Sequence, residues 1–454
     1  MFLNENEPVF LELCKRFRDS NGVTTDTRSA TIGQLYFALR GEHFDGNQYA
    51  HQALDKGCTA AVVDDPSIVD GSDERFILVP NVLNALQSLA RWHRRSWDCP
   101  VIGLTGCNGK TTTKELIKIV LEQRFQMVHA TAGNFNNEIG VPLTILAAKE
   151  PPEVAIIEMG ANAQKEIALL ADIAEPTIAL ITNIGRANLD GFGGEAGVLK
   201  GKGELFDYIR NHPDGRTVFV NAHHNKLVDI SNDLNRVLFG KEEMPPFVHH
   251  VINEHAFSWT APSGESMGPV QVNIMGEHNR ENIMGAVTIG IFLGVSPKAC
   301  SQAIAHYIPQ NNRSQWIQTK RNRILLDAYN ANPSSVIATL DAFGKESVEN
   351  GLSSRPICIL GEMGELGSFS KSGHLEVLQR ALAKGFEVFT VGMAFQTLDK
   401  RVVADDGDAE GQWQKAFSDV IEALAYFQAH DIDHCLVLLK GSRSVALEQL
   451  VEVL

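Results

Sequence analysis

The chain lacks any apolar run longer than a strand, so nothing in its 454 residues is expected to span a bilayer. Its first residues, MFLNENEPVF, lack the basic flank and apolar block of a secretory leader. Cysteine is sparse and unpatterned: Cys14, Cys58, Cys99, Cys107, Cys300, Cys358 and Cys435 make an odd count of seven, with no Cys-x-x-Cys spacing. That speaks for reduced thiols in a cytoplasmic protein rather than a disulfide framework or a thiolate zinc site. Positive charge is in deficit, with 40 Lys and Arg against 55 Asp and Glu, a formal net charge of −15. Such a balance argues against nonspecific nucleic-acid or membrane binding, so any anionic ligand must be met by local basic groups. A Gly-x-Gly-x-x-Gly turn is missing after the strand-like runs of the last third, and a dinucleotide cofactor is therefore not indicated. What remains is a normal globular balance of 44% hydrophobic and 21% charged residues. The length suggests about three domains.

The most informative stretch is Val101–Lys114, VIGLTGCNGKTTTK, in which an apolar run leads through a glycine-bearing turn into Lys-Thr and a helix-like segment. It reads as a phosphate-binding loop. Glycine at 106 and 109 lets backbone N–H groups surround an anion, and the helix start adds partial positive charge. Lys110 is suited to bridge nucleotide phosphates and the Thr111 hydroxyl to hold magnesium. The loop is a short form, with Leu104 where the general pattern has its first glycine.

Before this loop, residues 1–98 form a section of their own. The polar runs Thr25-Asp26-Thr27-Arg28 and Arg40–Tyr49 fit two surface loops; they equally fit a site in which Arg28 and Arg40 meet a diphosphate. AHQALDKGCTAAVVDD reads as helix, glycine stop and strand, and NVLNALQSLARWHRRSWD as a helix whose Arg91, His93, Arg94 and Arg95 form a solvated face.

After the loop, Asn134, Asn136 and Asn137 lie near two glycines, as turn residues or as donors to a polar substrate. Val154–Ile157 reads as a strand buried on both faces, and Glu158 at its carboxyl end as a magnesium contact or a structural ion pair. Thr177–Ile181 repeats the construction with Thr182-Asn183-Ile-Gly185 behind it. Residues 242–269 read as a β excursion, and Gly276 opens a helix that places His278 and Asn282 on one face. Residues 309–315 read as a linker. Beyond it, strand-like runs at 324–326, 357–360, 388–391 and 435–439 alternate with helix-sized segments, which predicts a second parallel α/β domain with polar groups just after its strands.

TGCNGKTT, AGNFNNEIGVP, EMGA, TNIG, LKGKGE, GEHNRENIMGA, DAYNANPSS, LGEMGELG and LKGSRS, in that order, resemble the Mur ligases over nearly the whole chain. Within the family, TDTRS, ALRGEHFDGNQYA and YNANP are similar to the branch that joins D-alanyl-D-alanine to UDP-N-acetylmuramoyl-tripeptide. The diaminopimelate-adding branch carries Asp-Asn-Pro-Arg where this chain has Ala331-Asn332-Pro333-Ser334.

The resemblance implies an α/β protein of three domains. Residues 1–98 are a small UDP-substrate-binding domain, 99–313 a central P-loop parallel-sheet ATPase, and 314–454 a Rossmann-like dipeptide-binding domain that swings to close over ATP. It implies that Thr105, Gly106, Cys107, Asn108, Gly109, Lys110, Thr111 and Thr112 hold the phosphates and that Asn279, Asn282, Arg313 and Asp327 approach the nucleotide. Lys110, Glu158, Lys202 and His278 are the implied catalytic groups, and Lys202, or else Lys200, stands where the family carries a carbamoylated lysine. The implied substrate contacts are Thr25, Asp26, Thr27, Arg28, Arg40, Asn136, Asn137, Tyr329, Asn330, Asn332 and Lys440. Thr111, Glu158, Lys202 and Asn188 are the implied magnesium contacts. Asn188 is a departure, since the relatives carry a metal-binding histidine there.

The implied chemistry is amide formation in two steps. A terminal carboxylate attacks the γ-phosphate of ATP, and the acyl phosphate is taken by the amine of D-alanyl-D-alanine, giving the UDP-linked pentapeptide precursor of peptidoglycan. Both first-step reactants are anionic, so Lys110 and magnesium must offset their repulsion. The expected state is a monomer. Two alternatives stand beside this reading: a folylpolyglutamate synthase-like ligase, which begins near its phosphate loop, and a nucleotide-dependent switch without ligation.

Overall fold

The computed structural model describes residues 2–69, 71, 73–349, 356–398 and 412–454. In the first section four short strands, Val23–Thr24, Leu35–Phe37, Ala60–Val63 and Phe76–Leu78, pair in parallel in that order. Side chains alternate across this sheet. Leu35 and Phe37 join Phe10, Leu13, Leu86 and Leu89 on one face, while Tyr36 joins Ala53, Leu54 and Ala61 on the other. The helix Ala50–Asp55, Gly57 at φ +94 and the strand Ala60–Val63 follow the expected helix, stop and strand. The first apolar cluster continues from helix Val82–Arg94 to Val141 and Ile145 of helix Gly140–Ala147, so this section shares a core with the next.

The central sheet has six parallel strands in the order Arg236–Phe239, Thr217–Asn221, Ile178–Ile181, Val101–Thr105, Val154–Glu158 and Val128–Ala130. Its inner strands are buried on both faces, which is why they read as unbroken apolar runs. From Val101–Thr105 the chain runs to the edge strand Val128–Ala130, steps back to Val154–Glu158, then crosses to Ile178–Ile181 and proceeds outward on the other side. This reversal opens a crevice at the carboxyl end of Val101–Thr105. The β excursion is an antiparallel sheet of Phe247–Asn253, Ala256–Thr260 and Ser266–Gln271.

The last sheet also has six strands, in the order Gln315–Gln318, Arg323–Asp327, Leu436–Lys440, Ile357–Gly361, Glu387–Val391 and Gln412–Phe417. All pairs are parallel except the first, a hairpin at the edge. The four expected strands form its centre. Edge strands escaped the sequence reading in both large sheets: Val128–Ala130 is short and half-buried, and Gln315–Gln318 and Gln412–Phe417 are interrupted by polar residues. Part of the expected linker is thus a strand.

One surface expectation is corrected. His93 and Arg94 are buried, at 7% and 5% exposure. Arg94 donates to the carbonyls of Ala174 and Glu175, at the end of helix Glu166–Ala174, and Arg91 and Arg95 both pair with the Glu175 carboxylate. Carbonyls left over at a helix terminus, together with one acidic residue, account for the three arginines, and His93 Nε2 pairs with the Ala148 carbonyl at 2.6 Å.

Candidate active site

The phosphate loop is held from behind by the segment after the neighbouring strand. Asn183 Oδ1 accepts from Asn108 N at 3.0 Å, while Thr182 Oγ1 and Asn183 Nδ2 donate to Asn108 O at 2.7 and 3.0 Å. Thr105 Oγ1 donates to Met159 O at 2.7 Å, tying the loop to the strand on the other side. Gly106 has φ +144, and a Cβ there would stand 2.0 Å from Thr182 Oγ1; Gly109 has φ +77, and a Cβ there would stand 2.7 Å from Asn282 Oδ1. Neither position admits a side chain. Helix Lys110–Leu121 starts at once, so its first N–H groups face the loop's concavity. Lys110 Nζ donates to Gly106 O at 2.8 Å, and burial pushes this amine below the ordinary lysine range although Glu158 opposes the shift.

Glu158 ends its strand only 1% exposed. Its Oε1 accepts from Thr111 Oγ1 at 3.2 Å and Asn136 Nδ2 at 2.8 Å, and its Oε2 has no hydrogen-bond partner. A buried carboxylate with one oxygen unpaired is costly on its own, and beside a threonine hydroxyl and a phosphate loop it has the donor set of a hard cation. Lys202, 2% exposed, donates to Ala161 O at 2.9 Å. Burial, with Lys110 adding to it, lowers its pKa to about 7. Asn188 instead turns its amide nitrogen to Asn162 Oδ1 and Glu365 Oε2. Thr111 and Glu158 therefore stand together, whereas Lys202 and Asn188 touch successive residues of the loop after Glu158.

The carboxyl ends of the two six-stranded sheets meet around a cavity of about 360 Å³. From the C-terminal side Asn332 Nδ2 donates to Asn108 Oδ1 of the phosphate loop at 2.7 Å. Asp327 pairs with Lys440 at 3.2 Å and accepts from Thr339 Oγ1 at 3.1 Å. Burial alone would raise this carboxyl, but Lys440 and the hydrogen bonds outweigh it and hold it below the usual range. Lys440, expected to meet substrate, lines the cavity, where it pairs with Asp327 and donates to Asn330 O at 2.6 Å. Arg313 lies over the Tyr329 ring at 3.9 Å with Nε buried and unpaired. On the opposite wall Asn282 Nδ2 donates to Asn279 Oδ1, and burial lowers the pKa of His278, which favours the neutral imidazole.

Several cavity residues escaped the sequence reading, among them Thr339 and a paired His224 and Glu281. His224 Nε2 stands 3.1 Å from Glu281 Oε2, and both line the cavity; the only signal was the polar end of the NAHHN run after a strand. Asn137 caps helix Gly140–Ala147 through Gly140 N at 2.8 Å and does not line the cavity, unlike its neighbour Asn136.

Thr25–Arg28 and Arg40 lie away from this cavity, at the carboxyl edge of the N-terminal sheet. Arg28 chelates Asp26 with its side chain 89% exposed, and Arg40 donates to Asp64 at 2.9 Å. Thr27 is buried and its carbonyl accepts from Lys56.

Comparison with known proteins gives one answer along the chain. Residues 19–94 match the description "Mur ligase family, catalytic domain", 104–290 "Mur ligase middle domain", and 312–443 "Mur ligase, glutamate ligase domain". UDP-N-acetylmuramoyl-tripeptide–D-alanyl-D-alanine ligases from Synechocystis and Haemophilus influenzae are 34% and 32% identical, over 96% and 94% of this chain and 92% of each relative. The enzyme of that name from Escherichia coli is 31% identical over 96% of this chain and 93% of its own. Among solved structures, MurF from Acinetobacter baumannii superposes with a TM-score of 0.83 at 27% identity, covering 97% of each chain. Motifs, fold and relatives agree that this chain belongs to the Mur ligase family.

Proposed function

We propose that this chain is an ATP-dependent ligase that joins D-alanyl-D-alanine to the terminal carboxylate of UDP-N-acetylmuramoyl-tripeptide through an acyl phosphate. The product is the UDP-linked pentapeptide used to build peptidoglycan. Relatives of that name, matching over more than nine-tenths of their length, support the substrates. The observation that carries the chemistry is the cavity in which a glycine loop, Lys110 and a carboxylate with one unpaired oxygen face the polar carboxyl edge of a second α/β sheet.

Residues 1–98 hold the UDP end, with Arg28 and Arg40 at the sheet edge released from Asp26 and Asp64 by a diphosphate that satisfies them better. Residues 99–313 hold ATP and 314–454 the dipeptide; the separate four-stranded and two six-stranded sheets support this division. The loop from Thr105 to Thr112 wraps the phosphates, and Lys110 leaves Gly106 O to neutralise the phosphoryl group as the carboxylate approaches. Asn279, Asn282, Arg313 and Asp327 orient the nucleotide, while Asn136, Tyr329, Asn330 and Asn332 face the acceptor side. His278, neutral at pH 7, contributes as a hydrogen-bonding wall.

The donor set of Thr111 Oγ1 and Glu158 Oε2 fits Mg2+, which when bound supplies charge neutralisation for the phosphates. Lys202 has a buried amine whose pKa of about 7 leaves a substantial neutral fraction, as carbamoylation requires, and the resulting carboxylate would add a second anionic group near the loop after Glu158. The enzyme works as a cytoplasmic monomer without nucleic-acid partner or membrane insertion. The net charge of −15 and free cysteines accord with this, and no helix among the described residues is long and apolar enough to cross a membrane.

The test is phosphate release from ATP with UDP-N-acetylmuramoyl-tripeptide, with and without D-alanyl-D-alanine, with the product identified by mass. Release that needs both substrates and yields the pentapeptide is expected; release indifferent to the dipeptide would sink the proposal.

A further inference from the structure

The segment after strand Ile178–Ile181 runs along the cleft and touches the C-terminal side at three places. Arg186 N donates to Ser334 Oγ at 3.1 Å and its guanidinium pairs with Glu376 at 2.7 Å. Asn188 Nδ2 donates to Glu365 Oε2 at 2.7 Å. Asp190 packs on Gly367 so closely that a Cβ there would lie 2.6 Å from its Cγ.

The middle contact differs in kind from its neighbours. The same Asn188 nitrogen also donates to Asn162 Oδ1 at 2.5 Å, on the central side of the cleft. A carboxylate only accepts, so Glu365 decides which amide atom faces it. A primary amide nitrogen carries two protons and can bridge two oxygens. A single imidazole nitrogen carries at most one and cannot, which gives the asparagine at this position a use of its own.

Both ends of the bridge are held in left-handed backbone, Asn188 at φ +54 and Glu365 at φ +62. Asparagine tolerates that region, but glutamate enters it only where its surroundings over-determine the conformation. Asn162 in turn follows Ala161, whose carbonyl holds Lys202. The bridge thus joins the Gly361–Gly367 segment of the C-terminal domain to the loop that begins after Glu158.

We infer that Asn188 is a positioning residue, a clasp that seats the Glu365 loop of the C-terminal domain on the reaction site by donating across the cleft to Glu365 and Asn162. The inference rests on the ligase reading above. It opposes the expectation that Asn188 is a cation contact, and the two differ in sign: an aspartate at 188 strengthens a cation site but repels Glu365.

Full-length N188D, E365Q and N188D/E365Q are compared by initial rates in all three substrates, by Mg2+ titration, and by small-angle scattering with ADP. For the clasp, N188D raises KM for D-alanyl-D-alanine by about tenfold, the size of a lost charge-assisted hydrogen bond plus a repulsion. Its KM for ATP and half-saturating Mg2+ stay near wild type, and scattering shows a more extended molecule. The double variant returns to within about threefold of wild type, because Gln at 365 donates to Asp at 188 and the bond is remade with its direction reversed. A lower Mg2+ requirement in N188D, or a double variant as impaired as N188D itself, overturns the clasp. If wild type makes no amide product, the ligase reading falls while the scattering comparison still tests the clasp.

Discussion

Two six-stranded α/β sheets face each other across one cavity, and they prepare their edges in opposite ways. The central edge is left incomplete: Glu158 Oε2 is buried without a partner, and Lys110 donates only to carbonyls of its own loop. The C-terminal edge is largely paired within itself: Asp327, Lys440, Thr339 and the Asn330 carbonyl satisfy one another, and Arg313 Nε is the exception. An incomplete edge stores binding capacity at the expense of stability, whereas a paired edge is a rigid wall that orients what the first one binds.

The sharpest break in that contrast is Lys110→Ala. It should cut phosphate release by about a thousandfold or more, as loss of a phosphoryl-stabilising cation does, with circular dichroism and the unfolding midpoint close to wild type. Next, Glu158→Gln should lower kcat on the order of a hundredfold while leaving the unfolding temperature unchanged or higher, since it removes a buried charge that lacks a full set of partners. A clear drop in stability would show that the central edge is not incomplete in the sense argued here.

Across the cavity the order of effects reverses. Asp327→Ala leaves Lys440, 2% exposed, with a buried uncompensated charge, and should destabilise by about 3 kcal/mol in a denaturant titration. Double replacement by Asp327→Asn and Lys440→Met should recover part of that loss, because removing both charges also removes their desolvation cost.

The smallest expected effect lies at the rim. His255, in the β excursion, stands 3.1 Å from Glu346 of the C-terminal domain, and this pairing raises its pKa above 6.5. A raised histidine contributes stability fully below about pH 6.5 and loses it as pH climbs through the folded value. Unfolding midpoints of wild type should therefore fall relative to His255→Gln over that window, by the equivalent of about 1 kcal/mol. Arg323 also binds Glu346 at 2.9 Å and should remain when His255 discharges, so the interface is expected to loosen rather than part.

Much of this organisation was legible in one dimension. The inner strands announce themselves because a parallel sheet covered on both faces demands unbroken apolar runs, as at Val154–Ile157, and the phosphate loop because only glycine fits at 106 and 109. Edge strands were not legible, since Gln412–Phe417 needs to hide only one side. Nor was the fate of Arg94, because the carbonyls it serves lie on a helix some eighty residues away in the chain.

By itself the sequence determined the residue chemistry and its order: a glycine loop with lysine and threonine, a carboxylate at a strand end, and polar groups after each strand of a second sheet. Backbone periodicity and turn stereochemistry are local, so these features can be read locally. Only the tertiary structure decided how the groups are paired. It placed Thr111 on Glu158, gave Lys440 to Asp327, buried Lys202 deeply enough to bring its pKa to about 7, and set Asn188 across the cleft from Glu365. Burial and pairing depend on which distant segments meet, and that is a property of the packed chain alone.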